Sequence, residues 1–355
     1  MKLLLKILLL PFSVLYGLIT FLRNKFYDWG LFESETFDIP VICVGNINTG
    51  GTGKSPAVEY LIRLLQKQNK YISTLSRGYG RETKGFILAG NSATAASIGD
   101  EPFQFFRKFQ NIRVAVCEDR VEGIHLLLEK QPVPEVILLD DAFQHRSVKP
   151  GLNILLTDYN HLYSRDWVLP AGRLREFRCG AKRADIIIVT KSPENISDAE
   201  KTKIIHSLKP QPTQCVLFSF IRYQGPQPFY ENSFQEKLPS LKDHEIVLFS
   251  GIADPEPLIA HLKPVCKKLH TLRFSDHHSY SRKDIITISE KFRNIVSENK
   301  IILTTEKDFS RLIHQNICNE LSDFPVYYLP VEMDFSETDK KTFELKILNY
   351  VEKNQ

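Results

Sequence analysis

The stretch Gly45-Asn46-Ile47-Asn48-Thr49-Gly50-Gly51-Thr52-Gly53-Lys54-Ser55-Pro56 brings glycines, an ammonium and a hydroxyl together in one short run. Glycines let backbone amides surround an anion, a lysine neutralises phosphate charge, and the next hydroxyl can ligate a divalent cation. This is the pattern of a phosphate-binding P-loop, with one departure: Asn48 stands where the usual pattern begins with glycine. Lys54 would then reach the β- and γ-phosphates, and the Ser55 hydroxyl would bind Mg²⁺. Asp140 and Asp141 end the apolar run Val136-Ile137-Leu138-Leu139. A carboxylate at the tip of a buried strand beside a P-loop strand can hold Mg²⁺ directly or through water.

Four further stretches have two readings each. Gly99-Asp100-Glu101-Pro102 sets two acids at a helix start, either as caps or as functional carboxylates. Asp276-His277-His278 could bind metal, but no second ligand cluster accompanies it, and a loop or helix cap serves equally. In Leu169-Pro170-Ala171-Gly172-Arg173-Leu174-Arg175-Glu176 two arginines on a constrained loop could clamp a phosphate, or simply be solvated. Thr304-Thr305-Glu306-Lys307-Asp308 reads most simply as a helix N-terminus after a strand, with a nucleotide contact as the unsupported alternative.

The P-loop must sit on a strand-to-helix turn, and its flanks supply both elements. Pro40 to Val44 is a β-branched apolar run, and Val58, Leu61, Ile62, Leu64 and Leu65 follow at helical spacing. Further strands are expected at Tyr71 to Leu75, Gly85 to Ala89, Arg113 to Cys117, Val136 to Leu139, Asn153 to Thr157 and Ile186 to Thr190. Asn91 to Ile98 is small and polar and reads as a flexible loop. Strand and helix signals alternate, which predicts an α/β fold with a mostly parallel sheet and helices on both faces. The prolines between Pro210 and Pro239 mark a boundary, although Gln214 to Ile221 there is β-rich. The expected organisation is an apolar helix over 1–30, a P-loop core over 31–212, a connector over 213–242 and a smaller α/β domain over 243–355.

Composition sets the outer limits. At 43% apolar and 25% charged the chain is globular, and a net charge of +4 argues against a dedicated nucleic-acid binder. No obligate protein partner is evident. The cysteines at 43, 117, 179, 215, 266 and 318 show no metal-ligand spacing and read as small buried apolar groups in a reducing compartment. Leu3 to Leu22 is almost wholly apolar, and Arg23, Lys25, Tyr27 and Trp29 follow. Such a segment can span a bilayer, pack against the domain or lie in the membrane interface; basic residues at both ends and the aromatic pair favour the interface.

The ordered set of these motifs resembles the tetraacyldisaccharide 4′-kinase family of lipid A biosynthesis. The shared motifs are Gly-Gly-Thr-Gly-Lys-Ser-Pro, Ser-Arg-Gly-Tyr-Gly, Gly-Asp-Glu-Pro, Leu-Asp-Asp-Ala-Phe-Gln-His, Leu-Pro-Ala-Gly-Arg-Leu-Arg-Glu, Asp-His-His and Thr-Glu-Lys-Asp. The resemblance runs from about residue 3 to residue 312. It implies a P-loop kinase that uses ATP and Mg²⁺ at the cytoplasmic face of the bacterial inner membrane. The reaction would phosphorylate the 4′-hydroxyl of an acylated disaccharide 1-phosphate lipid to give lipid IVA. It further implies that Asn48, Thr49, Gly50, Gly51, Thr52, Gly53, Lys54 and Ser55 bind ATP. Asp100 would accept the hydroxyl proton with His277 as its partner, Asp140 and Asp141 would serve the metal, and Arg175 and Glu176 would lie near the lipid head group. A rival class, the membrane-bound partition-type ATPases, carries a signature lysine just before the Gly-Gly pair, where this chain has Thr49.

Overall fold

The computed structural model describes residues 2–230, 240–276, 278–313 and 320–354. The chain opens with the long helix α1 (Lys2–Asp28), then β1 (Val41–Asn46), the P-loop and α2 (Lys54–Lys67). There follow β2 (Ile72–Ser76), β3 (Ile87–Leu88), α3 (Ala95–Ile98), α4 (Asp100–Lys108), β4 (Ile112–Val116), α5 (Arg120–Leu128) and β5 (Val136–Asp140). Next come β6 (Leu152–Asp158), β7 (Ile186–Thr190), α6 (Asp198–Leu208), β8 (Cys215–Tyr223) and β9 (Gln227–Pro228). The second lobe adds β10 (Glu245–Ser250), α7 (Glu256–Leu262), β11 (Lys268–Arg273), α8 (Arg282–Arg293), β12 (Lys300–Thr305), α9 (Glu306–Leu312) and β13 (Val326–Leu329). The chain closes with β14 (Val331–Phe335) and α10 (Glu337–Lys353).

Among the described residues the large sheet runs β14-β8-β7-β6-β1-β5-β2-β4-β3. It is parallel from β8 to β4, with antiparallel edges at β14 and β3. Strand β1 lies between β5 and β6, with Val44 paired to Asp140 and to Ile154. Its residues alternate between two cores: Ile42 and Val44 join one, Val41 and Cys43 the other. That is why these strands read as unbroken apolar runs: a parallel sheet covered by helices is buried on both faces. Phosphate ligands bind such sheets outside the carboxyl ends of the strands, where the P-loop emerges. The smaller sheet runs β11-β10-β12-β13-β9 and has its own two-sided core.

The expected boundaries change in two places. The segment 213–242 is not simply a connector, because β8 is a full strand of the large sheet beside β7. Nor does the smaller domain extend to residue 355. The chain recrosses after β13, β14 pairs antiparallel with β8, and α10 packs on the first core through Phe343, Ile347 and Val351. Tyr60, Phe335 and Phe343 form one aromatic cluster, and the Tyr350 hydroxyl donates to the Val41 carbonyl at 3.1 Å. The expected flexible loop at Asn91 to Ile98 instead contains α3, started by a capping box between Thr94 and Ser97. Of the cysteines, Cys43 and Cys117 are buried and Cys179 is exposed; Cys318 lies outside the described residues.

Helix α1 touches the large lobe along one stripe. Ser13 accepts a hydrogen bond from the Ala171 amide at 2.8 Å, Gly17 faces the Phe177 ring, Asn24 donates to Glu176 at 2.7 Å and Asp28 pairs with Arg146 at 2.8 Å. The spacing of 4, 7 and 4 residues follows the helical repeat. Away from that stripe Leu8, Phe12, Leu15, Ile19 and Leu22 are exposed.

Candidate active site

The P-loop turns from β1 into α2 through Gly53, which holds a left-handed conformation (φ 81°) against Thr190. A side chain there would be strained. Thr190 Oγ1 donates to the Thr52 carbonyl at 2.9 Å, and Asn46 Nδ2 donates to Thr52 Oγ1 at 2.7 Å, so the loop is tied to β1 and β7. Lys191, just past β7, adds a hydrogen bond to the Gly51 carbonyl and an ion pair to Asp158. Gly50 and Gly51 meet open space, and the amide atoms of Asn48 are buried with no hydrogen-bond partner. Lys54 and Ser55 begin α2, where unpaired N–H groups and the helix dipole favour an anion.

The arginine-rich loop is paired directly to this turn. The Thr49 amide donates to the Arg173 carbonyl and the Arg175 amide to the Ile47 carbonyl, both at 2.7 Å. Arg175 therefore reaches the tip of β5. Its Nη1 donates to Asp141 Oδ1 at 3.0 Å, while Lys54 Nζ lies 3.7 Å from Asp141 Oδ2. Burial opposes ionisation of Asp141, but Lys54 and Arg175 hold its carboxyl below the ordinary value. Asp141 adopts φ 49°, a left-handed conformation that aspartate tolerates better than most residues.

Asp140 has the opposite electrostatics. It is 5% exposed, its Oδ1 has no hydrogen-bond partner, and burial followed by the Asp141 charge pushes its carboxyl up to about 7. A buried, unsatisfied carboxylate oxygen on the strand next to the P-loop strand fits a divalent cation, which would supply the missing charge. No group of three or more His, Cys, Asp or Glu that could hold a metal occurs among the described residues. A cation here would need substrate phosphate oxygens beside the few protein ligands, as Mg²⁺ sites commonly do.

Glu176, the residue after Arg175, faces inward. It is 2% exposed and saturated: Arg183 donates to both oxygens at 2.8 and 2.9 Å, Asn24 at 2.7 Å and Gln144 at 3.0 Å. It acts on the site through Gln144, which also donates to the Asn46 carbonyl and accepts from Arg175.

Asp100 and Glu101 are not caps. Gly99 (φ 93°), with no side-chain cap, precedes α4 and packs against Gly78 of the Ser-Arg-Gly-Tyr-Gly loop. Asp100 instead receives Arg311 Nε at 2.7 Å, and Glu101 pairs with Lys307 at 3.0 Å, both from α9 of the second lobe. Thr305 caps α9, as the sequence suggested. His277 lies outside the described residues. Its neighbour His278 bonds Asp284 at 3.1 Å and stacks on Phe274. Lys191, Gln144 and Arg311 were not singled out in the sequence, nor was Arg120, which is buried at the start of α5 with its Nε unpartnered. Burial and nearby Arg77 lower its pKa, while the charges of Asp141 and Asp140 oppose that shift.

Comparison with known proteins places this geometry in context. The sequence model described as tetraacyldisaccharide-1-P 4′-kinase matches residues 5–352. The tetraacyldisaccharide 4′-kinase of Bacteroides thetaiotaomicron is 45% identical over 98% of this chain and 93% of its own. That of Flavobacterium psychrophilum is 48% identical over 97% of this chain and 96% of its own. Among solved structures, LpxK from Aquifex aeolicus in complex with ATP superposes with a TM-score of 0.74 at 30% identity, covering 98% of this chain and 99% of its own.

The electrostatics of Asp140 predict a stability difference. Its folded-state pKa of about 7 exceeds the ordinary 3.8, so the folded chain keeps a proton that the unfolded chain releases. Stability contributed by this group is lost as pH rises through that window. Without nucleotide or divalent cation, Asp140→Asn should therefore gain stability over the parent by about 2–3 kcal/mol between pH 5 and pH 8. Denaturant melts at the two pH values check this; an advantage that does not change with pH contradicts it.

Proposed function

The chain belongs to the tetraacyldisaccharide-1-P 4′-kinase family, and from that premise we infer which residues carry the reaction and where it takes place. It is a lipid kinase of lipid A biosynthesis that phosphorylates the 4′-hydroxyl of tetraacyldisaccharide 1-phosphate to give lipid IVA. The observation that carries the residue-level reading is the meeting of Lys54 and the Asp140–Asp141 pair at the tips of β1 and β5. Asn48 to Ser55 cradle the phosphates of ATP. Lys54 supplies positive charge where the γ-phosphoryl group leaves, and Arg175 keeps Asp141 ionised beside it. Mg²⁺ would be held by Ser55, Asp140 and Asp141, and when bound it neutralises charge on phosphate oxygens.

Asp100 accepts the proton of the acceptor hydroxyl. The acceptor oxygen forms a bond to the γ-phosphorus, the bond to the ADP oxygen breaks, and its electron pair leaves with ADP. The proton departs late in a loose transition state, so Asp100 needs aim more than basicity. His277 is its partner from the second lobe in this proposal. Asp100→Asn should lower kcat by about 10²- to 10⁴-fold with the KM for ATP nearly unchanged. His277→Ala should lose less, and the double variant little more than Asp100→Asn alone. Multiplicative losses, measured where chemistry limits turnover, would separate the two residues.

The lipid reaches this site from the membrane surface. Helix α1 is long and apolar enough over Leu5–Asp28 to cross a bilayer. Its docked stripe from Ser13 to Asp28 fixes that half to the catalytic lobe, which supports a helix lying in the interface at the cytoplasmic face. An apolar cleft of about 420 Å³, lined by Leu10, Val14, Val168, Leu174 and Phe177, lies between α1 and the arginine loop and suits an acyl chain. Removing residues 1–23 should raise the KM for lipid severalfold more than that for ATP and weaken sedimentation with anionic vesicles. Unchanged sedimentation would move the anchor elsewhere.

A further inference from the structure

Arg311 lies on α9 in the second lobe, yet its guanidinium reaches Asp100 at the start of α4. Nε donates to Asp100 Oδ2 at 2.7 Å, while Nη1 donates to the Gly251 carbonyl at 2.8 Å and to Asp308 Oδ1 at 3.1 Å. The side chain is 5% exposed. Asp308 is itself wholly buried, and its Oδ2 accepts from Thr305 Oγ1 at 2.7 Å and from the Gly251 amide at 3.1 Å. The planar fork is thus oriented by second-lobe atoms before it meets Asp100, a geometry that a flexible ammonium does not reproduce.

Adhesion between the lobes does not require this arrangement. Lys307–Glu101 at 3.0 Å, and Lys108 with Glu59 and Glu306 at 2.8 Å each, already join α4 to its neighbours. A buried ion pair gives little net stability over apolar packing, because both charges must be desolvated. What it fixes well is direction. Gly99, in a conformation few other residues adopt, swings Asp100 toward that fork and away from any cap role.

We propose that Arg311 is a positioning residue for phosphoryl transfer: from the second lobe it sets the aim of the Asp100 carboxylate at the acceptor hydroxyl, without touching the substrate. The proposal rests on Asp100 being the proton acceptor. It makes the base complete only when α9 is seated on α4, so lobe closure and proton acceptance become one event. The cost is basicity, since an adjacent cation lowers a carboxyl pKa. Among the described residues, the other charged and titratable groups around this pair include Glu101 on α4, Lys307 and Asp308 on α9, Tyr280 beside Asp308, and His278, which with Asp308 borders Gly251. Arg81, at the glycine loop that backs Gly99, is paired with Glu118.

The test compares the full-length parent, Arg311→Met, Arg311→Lys, Asp100→Asn and the Asp100→Asn/Arg311→Met double variant. Each is assayed with ATP, Mg²⁺ and tetraacyldisaccharide 1-phosphate across pH. Arg311→Met should lower kcat about tenfold or more with the KM for ATP within about twofold. The acidic limb of its kcat profile should move to higher pH, because Asp100 has lost a neighbouring cation. Arg311→Lys should keep the acidic limb in place yet still lose kcat, and it carries the comparison if the methionine variant does not fold. The double variant should lose no more than Asp100→Asn. Parent-like kcat in either Arg311 variant, an unmoved acidic limb in Arg311→Met, or a multiplicative double variant overturns the proposal. If Asp100→Asn keeps parental kcat, it is the base assignment that fails; if it is crippled while Arg311→Met is not, only the role of Arg311 fails.

Discussion

Asp141 sits between two cations, Lys54 of the P-loop and Arg175 of the arginine loop, at the tip of a strand buried on both faces. All three side chains stay partly exposed, and their mutual attraction brings three segments together. Arg175 fixes the arginine loop, whose backbone is already paired to the P-loop at Thr49 and Ile47. Gln144 and Glu176 carry the connection on to Asn24, so the apolar first helix is tied to the phosphate site by polar contacts shorter than about 3.3 Å.

The second lobe contributes charge rather than phosphate-binding backbone. Its helix α9 sends Lys307 to Glu101 and Arg311 to Asp100, and α4 answers with Lys108 to Glu306. Acids at the first turn of a helix ordinarily favour its dipole. Here the same acids are directed across the lobe boundary, so the first turn of α4 serves the interface as well as the helix. The return of β14 and α10 to the large sheet means that the chain enters and leaves the second lobe from the same core, with β8 and β14 paired side by side.

Much of the large sheet was legible because its strands are buried on both faces and read as apolar runs flanked by glycine. The P-loop was legible because its chemistry is local. Arg311 was not, since it meets Asp100 across 211 residues and nothing in Thr-Glu-Lys-Asp points to a partner that far away. The burial of Glu176 was not legible because its partners, Asn24 and Arg183, lie outside the motif that holds it. The alternation Val331, Met333, Phe335 is itself a strand signal, but which sheet the strand joins is decided by Tyr60 and Phe343, not by β14. The Thr94–Ser97 capping box escaped notice because serine occupies the place where glutamate or glutamine usually signals it.

Phosphoryl transfer to the lipid's sugar hydroxyl at the Lys54 site can be followed by labelling. The most direct measurement incubates the purified full chain with γ-labelled ATP, Mg²⁺ and tetraacyldisaccharide 1-phosphate, then locates the label on the isolated lipid. The expected product is bisphosphorylated and labelled at the 4′ position, formed by the parent and not by Lys54→Ala of equal thermal stability. Label released as inorganic phosphate with the lipid unmodified, or equal labelling by Lys54→Ala, would contradict it.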